Sequence, residues 1–275
     1  MLRKIRIYQV DAFADQLFHG NPAGVCITAQ ALDDRLMQNI AMEMNLSETA
    51  FAVPLETRDV ETCSNFSLRW FTPVQEVELC GHATLATAKV LFDICKAKSE
   101  KIRFQTQSGE LVVSKRKVFC LDFPADPSHH VKKPASLLKS LGVQTAEDYS
   151  LSSSLKMLLI RLESKEEVSC LKPDFRLLAK FEQSYGNQGF IVTARDTEYD
   201  FVSRFFAPGV GINEDPVTGS AHTVLAPYWA EILCKKKMKA CQISARQGLL
   251  DVELHGDRVY LLGQAIVVLE ADLLL

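Results

Sequence analysis

Residues 80–92 read Cys-Gly-His-Ala-Thr-Leu-Ala-Thr-Ala-Lys-Val-Leu-Phe, and this stretch decides the fold. It is apolar or small on nearly every face, so a helix formed by residues 81–94 is surrounded by protein rather than laid on a surface. A second stretch of the same kind runs from Gly219 to about Leu233. Pro227 lies inside it, which costs roughly 3 kcal/mol or forces a kink, and a bend is expected there. The two helices open alike, with Cys80-Gly81-His82-Ala83 before one and Thr218-Gly219-Ser220-Ala221 before the other. A turn, a glycine and a small or polar residue heading an apolar helix make a weak internal repeat.

Outward from these helices the chain alternates short strands with few helices. Strands are expected at residues 5–13, 24–28, 48–54, 65–71, 101–106, 110–114 and 118–123. Asp33-Asp34 supplies the N-cap of a helix whose apolar residues Leu36, Met37, Ile40, Ala41 and Met44 recur at helical spacing, and Asn45 ends it. The second half repeats the plan. Strands are expected at 154–162, 189–194, 201–206, 242–244, 249–254, 258–262 and 265–270, with a helix over 173–181 that takes Pro173 into its first turn. Pro124 and Pro127, within 124–134, mark a hinge. The architecture is thus α+β: two pseudo-symmetric domains, 1–123 and 124–275, each a curved antiparallel sheet around a central helix. The last strand is free to return to the first half.

Composition bounds the function. The 275 residues suffice for a sizeable core, and 47% hydrophobic with 24% charged residues is ordinary for a globular protein. A net charge of -3 gives no field to draw in nucleic acid. The basic run 235–239 is short and follows a helix, where cations meet the dipole favourably. No apolar run approaches the roughly 18–20 residues of a membrane span. The opening Met1-Leu2-Arg3-Lys4-Ile5-Arg6-Ile7 reads as a first strand, not a signal peptide. The 8 cysteines contain no Cys-x-x-Cys pair and are expected as reduced thiols in the cytoplasm. The 6 histidines do not fall into zinc-ligand spacing with them, so no metal is expected.

Glu48 heads a strand that continues Thr49-Ala50-Phe51-Ala52-Val53. A carboxylate set against apolar neighbours loses solvation and becomes suited to exchange protons near neutral pH; the plainer reading is an exposed glutamate at a turn. His82, at the start of a buried helix, is expected to be neutral because the positive dipole end disfavours imidazolium. A core histidine bonded to a backbone carbonyl is its plainer reading. Asp215 precedes Pro216 and fits an Asx-turn, and Ser220 fits a first-turn residue tidying backbone donors. Cys80 sits where a helix N-terminus can acidify a thiol. A two-cysteine racemase needs a partner at the matching place, but Thr218 stands there, so an inert buried cysteine is favoured. The helix N-termini themselves are anion sites.

Four stretches in order, GNPAGV (20–25), NLSETAF (45–51), RWFTPVQEVELCGHATLATA (69–88) and EDPVTGSAH (214–222), resemble the phenazine-biosynthesis PhzF family, within the diaminopimelate-epimerase and proline-racemase fold. The tail beyond about 235 matches less clearly, although ARQG (245–248) falls where the family often has an Arg-Gly turn. The resemblance implies pseudo-symmetric halves with central helices 81–94 and 219–233, an active site at the cleft between halves, and a homodimer. It implies Glu48 as general acid/base and His82, Asp215 and Ser220 as contacts to a small carboxylate substrate. Asn21 and Ser47 lie inside the matching motifs and join that set. Gly81 and Gly219 would let backbone N–H groups approach the substrate. The implied activity is a proton-shift isomerisation without metal or organic cofactor. Cys80 departs from the phenazine enzymes, which carry a small residue there, and is shared with the animal phenazine biosynthesis-like domain proteins. Two other readings compete: an epimerase or dehydratase using Cys80 opposite Thr218, and a binding protein that kept the pocket without turnover.

Overall fold

A helix buried on every side needs strands along it, and each half of the chain supplies them by one pairing plan. The computed structural model describes residues 4–57, 59–134 and 136–275. Residues 1–3, which open the stretch read as a first strand, lie outside the described residues. Contacts divide the chain into one unit of Met1–Asp122 with Leu262–Leu275 and another of Phe123–Leu261.

The first unit begins with β1 (Lys4–Ala12), β2 (Asn21–Ile27), α1 (Asp34–Met44), β3 (Glu48–Pro54), β4 (Asn65–Phe71) and β5 (Glu76–Val77). Then come α2 (Gly81–Lys89), β6 (Lys101–Thr106), β7 (Gly109–Lys115) and β8 (Phe119–Pro124). The Asp33 side chain caps α1 by accepting from the N–H groups of Arg35 and Leu36, and Asn45 closes it in the left-handed region at φ 49°. Strand neighbours joined without an intervening helix pair antiparallel, as in β1–β2, β3–β4 and β6–β7. Neighbours joined through a helix pair parallel: β2 with β3 across α1, and β4 with β6 across α2. Every α2 residue from His82 to Ala88 is buried, packed against β1, β2, β3 and β7. A single π-helical turn, Val90–Ile94, ends this helical stretch.

The second unit holds β9 (Ser128–His130), α3 (Leu137–Leu141), β10 (Asp148–Ser152), β11 (Leu158–Arg161), α4 (Lys165–Ser169) and α5 (Phe175–Tyr185). It continues with β12 (Phe190–Arg195), β13 (Phe201–Ala207), β14 (Ile212–Asp215), α6 (Gly219–Leu233), β15 (Lys237–Gln242), β16 (Gly248–His255) and β17 (Arg258–Gly263). The plan repeats: β10–β11, β12–β13 and β15–β16 are antiparallel, while β11–β12 and β13–β15 are parallel across their helices. Finally β18 (Ala265–Leu274) belongs to the first unit, where it pairs with β1 from Lys4 to Ala12.

Several details differ from the sequence expectations. The strand expected over 154–162 is only Leu158–Arg161, because 152–157 forms a turn in which Met157 N–H donates to Ser152 Oγ at 2.9 Å. Pro173 precedes α5 rather than entering it, and Asp174 is the N-cap, accepting from Leu177 N–H. The 124–134 stretch, expected as a hinge, follows directly on the boundary between Asp122 and Phe123. It carries β9, and the Asp126 carboxylate accepts from the N–H groups of Ser154 and Leu155, both at 2.8 Å. The basic run follows α6 as expected, with Lys235 N–H donating to the Ala230 carbonyl of its last turn at 3.2 Å. After Cys234 closes α6 the chain enters β15, and Lys235 and Lys237 pair with Asp200 and Glu253. α6 continues through Pro227. The proline leaves the Thr223 carbonyl, four residues back, without its helical donor, and Asp126 N–H takes that place at 3.1 Å.

The eight cysteines, all among the described residues, form no disulfide. Among the described residues no helix is long and apolar enough to cross a membrane.

Candidate active site

The first unit brings Asn21, Ser47, Glu48, Cys80 and His82 together around one imidazole. Gly20 makes the approach possible: at φ 72° it turns the chain into β2, and a Cβ there would lie 2.2 Å from the Ala12 carbonyl oxygen. Asn21 follows, fully buried at the head of β2. β3 runs parallel beside it, with Glu48 registered against Ala23. His82 enters from the first turn of α2, whose N-cap is Cys80 in an extended conformation.

Each ring nitrogen of His82 has its own partners. Nε2 lies 3.1 Å from Glu48 Oε2. Nδ1 lies 3.3 Å from Asn21 Nδ2 and 3.5 Å from Cys80 Sγ. Ser47 Oγ donates to Asn21 Oδ1 at 3.2 Å. The Asn21 amide can turn Nδ2 toward a bare Nδ1 or Oδ1 toward a protonated one, and the Ser47 hydroxyl can follow either way. The Glu48–His82 contact has ion-pair distance without hydrogen-bond alignment, so Oε2 and Nε2 are buried with hydrogen-bonding capacity unspent. The Glu48 side chain keeps 12% exposure, against 6% for His82.

The electrostatics correct the expectation of a neutral His82. Burial opposes its charge, but the neighbouring Cys80 and Glu48 side chains outweigh that and hold the imidazole well above its usual range. Cys80 itself is pushed up to about 11 by burial and by the Glu48 charge. A thiol that weakly acidic is uncharged near neutrality, which leaves the Glu48 carboxylate as the partner able to sustain an imidazolium.

Glu48, Cys80 and His82 also offer one metal-ligand atom each within 4.8 Å of one another, across segments that motif spacing does not connect. The thiol stands at Nδ1 and the carboxylate at Nε2.

The remaining candidates lie in the second unit and form a cluster there. Thr218, the N-cap of α6, donates through Oγ1 to Asp215 Oδ2 at 2.5 Å. Gly219 is buried in the first turn and Ser220 is half-buried. Two further buried groups attach to this turn and had no motif to announce them. His222 shares a 2.8 Å hydrogen bond between Nδ1 and the Thr218 carbonyl, and burial depresses it to about 4, keeping it neutral. Gln242 contacts Thr218 and Asp215 from the end of β15. Its only signal is a polar residue on the strand face that Met238 and Ala240 bury.

Residues 10–271 match the family model described as phenazine biosynthesis-like protein, PhzC-PhzF. An uncharacterized isomerase of Halalkalibacterium halodurans is 47% identical over 274 residues, covering 98% of each chain. A phenazine biosynthesis-like domain-containing protein of Rattus norvegicus is 45% identical, over 98% of this chain and 99% of its own. The crystal structure of an Enterococcus faecalis phenazine biosynthesis protein of the PhzF family superposes with a TM-score of 0.92 at 40% identity, covering 99% of this chain and 100% of that one. A hydroxyproline epimerase structure from Agrobacterium vitis has a TM-score of 0.63 at 11% identity, covering 100% of this chain and 94% of that one, a likeness of fold alone. The buried Glu48–His82 contact, the repeated pairing plan and these matches lead to one identification: the chain belongs to the phenazine biosynthesis-like PhzC-PhzF family.

Proposed function

We propose that the protein is an isomerase that shifts a proton between two carbons of a small unsaturated carboxylic acid, with Glu48 as its single acid/base and no metal or organic cofactor. The observation that carries this reading is the buried Glu48 carboxylate 3.1 Å from His82 Nε2, both atoms with hydrogen-bonding capacity to spend. Glu48 takes a proton from an acidified carbon, leaving a delocalised carbanion and a protonated Glu48. It then returns the proton to a second carbon on the same face, so the substrate is neither oxidised nor reduced. An imidazolium at His82 stabilises the negative charge that develops, as do the backbone N–H groups at the head of α2. The name of the Halalkalibacterium halodurans relative, an isomerase, agrees with this class.

A base at Cys80 is the weaker reading. With its thiol pushed up to about 11, only about one molecule in ten thousand carries a thiolate at pH 7. Thr218 offers no partner base, because its hydroxyl is already given to Asp215.

The test is incubation in deuterated water with a panel of cyclic and acyclic unsaturated amino and hydroxy acids, followed by mass spectrometry. Carbon-bound deuterium with wild type and none with Glu48→Gln supports the shuttle. Binding of panel acids without exchange would favour a pocket that binds and does not turn over.

A further inference from the structure

Gln242 is a primary amide with no exposure, and such a group is costly unless its donors and acceptor are all used. It uses them on one turn of chain. Oε1 accepts from Thr218 N–H at 2.9 Å, and Nε2 donates to the Asp215 carbonyl at 2.7 Å and to Thr218 Oγ1 at 3.1 Å. Ser244, two residues on, donates its hydroxyl to the Pro216 carbonyl at 2.8 Å. The turn's fourth residue is locked by shape. Val217 is fully buried against Gly248, where a Cβ would stand 2.0 Å from Val217 Cγ2. All four residues of 215–218 are therefore gripped by 242–248, the segment that contains the ARQG turn.

The grip also fixes a hydrogen. Because Gln242 donates to Thr218 Oγ1, the Thr218 hydroxyl points its own proton at Asp215, 2.5 Å away. An apolar side chain at 242 would remove the donor to Thr218 Oγ1 and to the Asp215 carbonyl, and with it the constraint that aims the hydroxyl. We infer that Gln242 is a positioning residue for the proposed isomerisation. It sets the Asp215 carboxylate and the first turn of α6, with Ser244 and Gly248 completing the clamp. The inference rests on the reading of Asp215 and Ser220 as substrate contacts.

Gln242→Glu and Gln242→Leu test it. An ionised glutamate at 242 keeps the acceptor for Thr218 N–H but cannot donate to the Asp215 carbonyl. Protonated, it matches glutamine in shape and regains one donor. With the panel acid that wild type labels fastest in deuterated water, Gln242→Glu should show KM raised about tenfold or more, with kcat changed less. Relative to wild type it should recover as pH falls, whereas Gln242→Leu should be impaired at every pH. A Gln242→Glu profile parallel to wild type, or a Gln242→Leu KM within about twofold, would overturn the inference. A second measurement needs no substrate. The Thr218 amide resonance in a 1H–15N spectrum should shift and lose protection from exchange in folded Gln242→Leu, and an unchanged amide overturns the clamp. Wild type without any exchange would sink the isomerase reading instead, and the amide measurement would still decide the clamp.

Discussion

Glu48 differs from an ordinary strand-end glutamate by what stands next to it. The His82 imidazole is within ion-pair distance and is itself braced on its other nitrogen by Asn21 and Cys80. Replacing Glu48 by glutamine keeps the shape and removes the proton carrier, so exchange should fall about 100- to 10,000-fold. Cys80→Ala should retain exchange within about tenfold, since a thiol pushed up to about 11 is a poor base. Labelling rates of the two variants, measured side by side, check both expectations. The raised His82 makes a separate claim about stability. Its folded value lies above the ordinary 6.5. The stabilisation is therefore fully present below about 6.5 and is lost as pH rises through the folded value. The melting-temperature gap between wild type and His82→Asn should narrow as pH rises above about 6.5. A gap that widens with pH would contradict the imidazolium.

At the level of elements, two groups tied to α6, His222 on it and Asp126 bonded to it, behave unlike their residue type, and both are testable. His222 is buried without charge and depressed to about 4. The unfolded chain binds a proton that the folded chain refuses, so this group costs stability as pH falls from about 6.5 to about 4. The full cost is about 3 kcal/mol. His222→Asn keeps a donor for the Thr218 carbonyl and removes the titration. Its denaturant-derived stability should lack that acid slope, whatever the ring's loss costs at pH 7. Asp126 is the second case. It supplies the N–H that replaces the one Pro227 lacks, and its carboxylate holds two more N–H groups. Asp126→Ala should destabilise by about 2–3 kcal/mol in urea unfolding, because two buried charge-assisted bonds are lost.

Much of this level was legible in the chain. The all-apolar character of 81–92, the Asp33 cap and the alternation of 65–71 give α2, α1 and β4 directly. What escaped depends on distant partners. Nothing local tells that Asp126 will complete a helix around Pro227, or that the serines after β10 will form a turn on that same carboxylate. The 124–134 stretch accordingly reads only as a hinge, and the bonds from Asp126 to residues 154 and 155 come from the structure. The parallel pairs β2–β3 and β4–β6 likewise follow from where the helices cross, not from strand composition. The site divides in the same way. Glu48 and His82 are 34 positions apart, and only the four matching motifs join them. Gln242 lies in the poorly matching tail and surfaces only through its hydrogen bonds.

For the molecule as a whole, the return of β18 to the first unit sets a dependence that residue order hides. β18 pairs with β1 from Lys4↔Leu274 to Ala12↔Ala265, with one register shift after Gln9. It also lies along α2. Deleting 262–275 removes a strand from the first unit at the far end of the chain. Backbone hydrogen exchange in the truncated protein should show β1 and α2 losing protection ahead of β12 and β13. Equal protection in both units would show that β18 contributes little.

The central claim is that one carboxylate, Glu48, carries the proton. It is tested most directly by position-resolved deuterium incorporation in deuterated water, comparing wild type, Glu48→Gln and Cys80→Ala on the panel acid that wild type labels fastest. The account predicts label at two carbons on one face of the substrate with wild type and with Cys80→Ala, and none with Glu48→Gln. Label that persists in Glu48→Gln and disappears in Cys80→Ala would contradict it and make the cysteine the base.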